Sequence, residues 1–79
     1  MVEIVTNTLP KDVRDEVAHW VRAAIGYRPG LWQVSLLGSD RVARFVVFIR
    51  HPEAGFHRSW VFTSIAEPVQ RVIEVGLEA

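Results

Sequence analysis

The side chains best able to transfer protons or bind charged groups are concentrated in the segment 44–58. It holds two of the three histidines of the chain, His51 and His57. It also holds three arginines: Arg44, Arg50 and Arg58. Histidine exchanges protons near neutral pH, and arginine binds phosphate or carboxylate through paired hydrogen bonds. Proton transfer, metal binding and recognition of a charged partner are therefore the three kinds of chemistry to weigh.

The elements that must position these side chains follow from hydrophobic periodicity. Alternating apolar residues predict strands over Leu31–Leu37, Val42–His51 and Phe56–Thr63, joined by four-residue loops. A shorter strand is predicted over residues 2–6. Apolar residues at helical spacing predict a first helix from Pro10 to Ile25.

The last helix is predicted from the capping-box spelling of Ser64 and Glu67. Apolar residues at helical spacing then run from Ile65 to Leu77. The element order is therefore β-α-β-β-β-α. It predicts a single α+β domain over residues 1–79, with an antiparallel four-stranded sheet and two helices packed on one face.

Side-chain alternation decides which residues share a face of this sheet. The four-residue loops pair His51 with Phe56 and Leu37 with Val42, so Val34 lies opposite Phe45. The helix-covered face then collects Trp32, Val34, Leu36, Ala43, Phe45, Val47, Ile49, Trp60 and Phe62. The open face collects Gln33, Ser35, Arg44, Val46, Phe48, Arg50, His57, Ser59, Val61 and Thr63.

The same alternation separates the two histidines. His51 and Arg58 fall on one side of the sheet and Arg50 and His57 on the other, which argues against a shared metal site. His57 precedes Ser59 by two residues on one face, but no nucleophile elbow accompanies them. We therefore expect no catalytic residue, no metal and no cofactor.

Composition narrows the class of protein further. Nine Lys and Arg balance nine Asp and Glu, and a formal charge of zero disfavours a general nucleic-acid or membrane-surface binder. The chain has no Cys, no long apolar run and no basic start typical of a secretory signal. We therefore expect a cytoplasmic protein.

Two resemblances add to these expectations. The order α-β-β-β-α over residues 10–78 is similar to that of the double-stranded RNA-binding domain. In that family the Lys-rich start of the last helix meets phosphate, whereas here residues 65–68 read Ile-Ala-Glu-Pro. In size and style the chain resembles small phage- or mobile-element-encoded inhibitors of the anti-CRISPR type. That resemblance implies a protein that blocks a larger effector complex by occupying its surface.

The sequence therefore predicts a non-enzymatic protein-binding module, with a protein or nucleoprotein complex as its partner. The predicted contact residues are Arg44, Phe48, Arg50, His57 and Arg58, together with an acidic patch of Glu67, Glu74 and Glu78. Two alternatives remain open. One is a nucleic-acid-binding domain that uses the open face, and the other is a small RNase-like toxin that uses His57 and Arg50. The chain is expected to be a monomer or a homodimer.

Overall fold

The computed structural model describes residues 1–39 and 42–78 of the chain. The strands are β1 (Val2–Asn7), β2 (Trp32–Ser39), β3 (Val42–His51) and β4 (Phe56–Phe62), and the helices are α1 (Lys11–Ile25) and α2 (Val69–Glu78). A single 3-10 turn, Pro52–Ala54, joins β3 to β4. The α+β class and the order β-α-β-β-β-α are confirmed.

The prediction of an antiparallel sheet is wrong for one strand. The sheet has the order β1-β2-β3-β4, and β1 runs parallel to β2 whereas the other two pairs are antiparallel. The reason is the crossover through α1. When a helix that packs on the sheet connects two neighbouring strands, the chain enters the second strand in the same direction as the first. Strand β2 therefore runs parallel to β1, and the sheet is mixed.

The predicted pairing of β3 with β4 is confirmed, and that of β2 with β3 is wrong. His51 pairs with Phe56, as expected. Val34, however, pairs with Ile49 instead of Phe45, and the ladder is irregular between Gly38 and Ser39. The observed partner, Ile49, lies four positions from the predicted partner, Phe45. Because this shift of the register is even, each side chain stays on its predicted face of the sheet.

The hydrophobic core lies between the two helices and one face of the sheet. Every predicted core-face residue with a described side chain is buried there except Trp60, which is partly buried. The predicted position of the Ala43 side chain lies outside what the structure describes. The helices contribute buried Val17, Val21, Ala24 and Ile25 from α1 and Val69 and Ile73 from α2.

Helix α2 begins later than its capping-box spelling predicts. The carboxylate of Glu67 accepts hydrogen bonds from the backbone N–H groups of Thr63 and Ser64, at 2.6 and 3.2 Å. The Ser64 hydroxyl in turn accepts from the N–H of Ala66 at 3.0 Å. These bonds close a turn that precedes Pro68, and the helix starts at Val69. Among the described residues, no helix has the length and apolarity needed to span a membrane.

Candidate functional site

The face of the sheet opposite the helices carries side chains in transverse rows. The first row joins one residue from each strand: Glu3, Gln33, Arg50 and His57. Gln33 Nε2 donates to the Glu3 carboxylate at 3.5 Å, while Arg50 and His57 are exposed neighbours. This row is the charged end of the open face.

The second and third rows turn progressively more apolar. The second contains Thr6, Ser35, Phe48 and Ser59, and the third contains Leu37, Val46 and Val61. Phe48 keeps 40% of its surface exposed, Leu37 38% and Val61 61%. An exposed apolar cluster of this kind on a sheet is a feature of surfaces that bind partners.

A shallow groove of about 600 Å³ runs from the first row across the second to Leu37 of the third. Phe48 lies in its middle, with Arg50 and His57 at one end and Leu37 at the other. The groove thus combines an aromatic surface with hydrogen-bond donors. These are the groups that bind a ligand with both an apolar and an anionic part.

Arg44 lies on the same face beyond the apolar rows. It is exposed, and it lies six positions before Arg50 along β3. At about 3.3 Å per residue in a strand, the two arginines are about 20 Å apart. The apolar centre therefore lies between two cationic ends, a spacing that the length of β3 alone sets.

Arg58 belongs to a different surface. It pairs with Ile49, so its side chain lies on the helix-covered side of the sheet, as the alternation predicts. Its guanidinium donates to the carbonyl oxygen of Gly76 at 2.6 Å and lies 5.8 Å from the centre of the Phe56 ring. The Arg58 side chain therefore ties β4 to the end of α2. Arg58 lines the groove of the open face, as its neighbour Ile49 does, but its guanidinium does not join Arg44, Phe48, Arg50 and His57 there.

The three predicted acidic residues do not share one role. The Glu67 carboxylate is engaged in the turn before α2, where it also accepts from the Thr63 hydroxyl at 3.2 Å. Glu74 accepts from Gln70 Nε2 at 2.9 Å. Both line a second groove beside Trp20 that also includes Arg71, whereas Glu78 is an exposed residue at the end of α2. The neighbouring cation and the internal hydrogen bonds weaken the negative potential of this patch.

His51 has a packing role that the sequence analysis did not identify. Its ring stacks on Trp32, with centroids 4.2 Å apart and planes 4° from parallel. Its Nδ1 lies 2.8 Å from the carbonyl oxygen of Leu31, so this nitrogen carries the proton. Glu53 closes the same corner by accepting from the N–H of Leu31 at 2.9 Å.

Leu37, Thr6 and Glu3 are open-face residues that the sequence analysis left out. Leu37 was detectable because it follows Ser35 by two positions on the same strand. Thr6 and Glu3 were not, since their place depends on the parallel pairing of β1 and on the bulge between Ile4 and Thr6. Within residues 1–39 and 42–78, no three His, Asp or Glu side chains converge as metal ligands would.

A comparison of the chain with protein-family models, with curated proteins and with solved structures found no match to any of the three.

Proposed function

We propose that the protein is a non-enzymatic binding module whose open face docks an acidic and apolar surface of a larger protein. The observation that carries this proposal is the arrangement of charge around an apolar centre. Leu37, Phe48 and Val61 are exposed between Arg44 at one end and the Arg50–His57 pair at the other. A partner surface with apolar side chains flanked by carboxylates complements this pattern.

Charge on the open face supports an anionic partner. Among the described residues of that face, Glu3 is the one carboxylate, and it is already hydrogen-bonded to Gln33. Arginine is also the cation best suited to interfaces, because its planar group binds carboxylates in a bidentate manner.

The chemistry of the apolar rows favours protein over nucleic acid. Sheets that bind single-stranded RNA or DNA stack bases on several aromatic rings. Here Phe48 is the one aromatic side chain on the described part of the open face, and its apolar neighbours Leu37, Val46 and Val61 are aliphatic. Aliphatic side chains fill pockets and cover apolar surface, as they do in protein interfaces.

Such a module acts by occupying a surface, in the manner of the small anti-CRISPR-type inhibitors that the chain resembles in size. We place it in the cytoplasm, consistent with a chain that has no Cys. Two alternatives keep specific support. Phe48 beside Arg50 supports contact with a single-stranded nucleic acid. The Arg50–His57 pair supports an RNase-like activity.

The test compares two aromatic-to-acid substitutions. Phe48→Glu puts a carboxylate in the middle of the open face, whereas Tyr27→Glu changes a fully exposed ring in the loop after α1. The tagged protein is used to capture its partner from host cells, and the purified partner is then titrated with each variant. We expect Phe48→Glu to raise the Kd by about tenfold or more, since an unpaired carboxylate would be buried against acidic groups. Tyr27→Glu should leave the Kd unchanged.

Equal Kd values for the two variants would contradict the proposed role of the open face. Binding of the unmodified chain to single-stranded RNA at low salt, lost in Phe48→Glu, would instead establish the nucleic-acid alternative. RNA cleavage that disappears in His57→Ala would establish the RNase alternative.

A further inference from the structure

The two outer strands of the sheet differ in how well they are protected from pairing with another strand. In β1 the ladder is interrupted between Ile4 and Thr6. The guanidinium of Arg22 also donates to the carbonyl oxygen of Val2 at 3.4 Å. Bulges and edge cations are common means by which proteins prevent a sheet from growing at its edge.

Strand β4 is less protected. It pairs with β3 in one unbroken register from Phe56 to Phe62 and contains no proline, and the guanidinium of its one arginine, Arg58, donates to the Gly76 carbonyl of α2. Its outer side therefore offers a regular row of N–H and C=O groups. A regular, seven-residue edge of this kind is able to accept a further strand.

An apolar surface of α2 accompanies this edge. Gly76 lies against the Trp60 ring of β4, since a Cβ placed on Gly76 would be 2.6 Å from Cζ2 of Trp60. Val72 lies one helical turn before Gly76 and is 38% exposed, and its neighbour Val75 is 50% exposed. Gln70 and Glu74 line the groove on the other side of the helix, beside Trp20 of α1. The outward valines are thus on the β4 side of α2.

We infer that two copies of this chain associate through the β4 edge and this apolar surface of α2. The two β4 strands pair antiparallel about a twofold axis, and the two α2 helices cover the junction. A second copy is the occupant that fits because the edge is complementary to itself. Full-length pairing of Phe56–Phe62 with its copy is centred on Ser59, so that Ser59 lies opposite Ser59 of the partner subunit.

Charge selects this register over its neighbours. Centring on Ser59 puts Arg58 opposite Trp60 of the partner subunit, a cation beside an aromatic ring, and His57 opposite Val61 of the partner subunit. Centring on Arg58 would put two guanidinium groups face to face, and centring on His57 would do the same with two imidazoles. Of the registers that oppose no like charges, the one centred on Ser59 alone pairs all seven residues of β4, whereas centring on Trp60 leaves Phe56 and His57 outside the seven-residue pairing.

The dimer leaves the function of the open face untouched. Pairing at β4 extends the sheet to eight strands and adds nothing on top of Phe48, so each copy keeps its own groove. The inference does not depend on the proposed partner, and the two can fail separately. A dimer with no binding partner would contradict only the proposed function, and a monomer that binds a partner would contradict only the dimer.

The first test measures mass against concentration by sedimentation. We expect the full chain to reach twice the mass of one 79-residue chain as concentration rises through the micromolar range. Val75→Glu should raise the dimer Kd by about tenfold or more, because the twofold axis brings two new carboxylates to the junction. Val5→Glu makes the same change at the protected β1 edge, where Val5 is 55% exposed, and should leave the Kd unchanged. A monomer at every concentration would overturn the inference, as would equal effects of the two variants.

The second test determines the register by cross-linking. The chain has no Cys, so a single introduced thiol reports one position. Directly opposed residues of antiparallel strands have Cβ atoms about 4.5–5.5 Å apart, and a disulfide holds them at about 3.5–4.5 Å, so a small movement at the edge lets oxidation join Ser59→Cys to its copy. Ser35→Cys, the same substitution on the same face in a central strand, should form no disulfide with its copy under these conditions, although its β4 edge still pairs. Cross-linking of Ser35→Cys in preference to Ser59→Cys would show a face-to-face dimer and overturn the β4 pairing.

Discussion

At the scale of single residues, the pleat of the sheet gives two neighbouring histidines different tasks. His51 is stacked on Trp32 and bonded to the Leu31 carbonyl, whereas His57 is exposed beside Arg50. His51 is thus part of the packing at one corner of the core. His57 stays exposed on the open face.

A pair of substitutions tests this division. His51→Ala removes an aromatic stack and one hydrogen bond, and we expect the free energy of unfolding to fall by about 2 kcal/mol. His57→Ala removes no such contact and should change it by less than about 0.5 kcal/mol. Urea unfolding of both variants provides the measurement. Equal losses would show that the stacking of His51 contributes nothing beyond that of a surface residue.

At the scale of the elements, the connection between β4 and α2 depends on one carboxylate. Glu67 accepts from two backbone N–H groups and one hydroxyl of the preceding residues, Thr63 and Ser64. These donors lie between the end of a strand and the start of a helix, where backbone partners are absent. The residue that the sequence analysis assigned to an acidic binding patch therefore has a structural task.

Removal of the Glu67 carboxylate should destabilise the protein more than removal of an exposed carboxylate. Glu67→Ala leaves two backbone N–H groups without their acceptor, so we expect a loss of about 1–2 kcal/mol in the free energy of unfolding. Glu78→Ala is the matched control, because Glu78 is exposed at the end of α2. Thermal unfolding compares the two variants. If Glu78→Ala destabilised the protein as much as Glu67→Ala, general charge and not the turn would be responsible.

At the scale of the whole molecule, α2 approaches the sheet closely at one point. Gly76 faces the Trp60 ring, and Arg58 donates to the Gly76 carbonyl from the same strand. Glycine in a helix normally costs about 1 kcal/mol relative to alanine. Here it leaves room for an indole ring between the two layers.

The sign of the change in the free energy of unfolding on Gly76→Ala distinguishes close packing from helix propensity. Propensity alone predicts that Gly76→Ala stabilises the protein, whereas the contact with Trp60 predicts a net loss of about 1 kcal/mol or more. In a Trp60→Leu background the clash is relieved, and Gly76→Ala should then become neutral or stabilising. Chemical unfolding of the four proteins of this cycle gives the coupling energy. A stabilised Gly76→Ala single variant would refute close packing at this point.

The open face was largely predictable because it depends on local alternation. Arg44, Phe48 and Arg50 lie at even-numbered positions of one strand, and His57 pairs with Arg50 across a short hairpin, so their shared face follows from the pleat. Arg58 shows the limit of this reasoning. Its side was predictable, but its bond to Gly76 depends on where α2 crosses the strand.

The number, type and order of the elements and the two faces of the sheet follow from local patterns, since periodicity and turn residues are encoded over a few neighbouring positions. The parallel direction of β1 beside β2 and the pairing of Val34 with Ile49 emerge only when the chain is folded. Both choices depend on contacts between distant segments. The crossover through α1 sets the direction of a strand, and a ladder can slip by an even number of residues without moving any side chain to the other face.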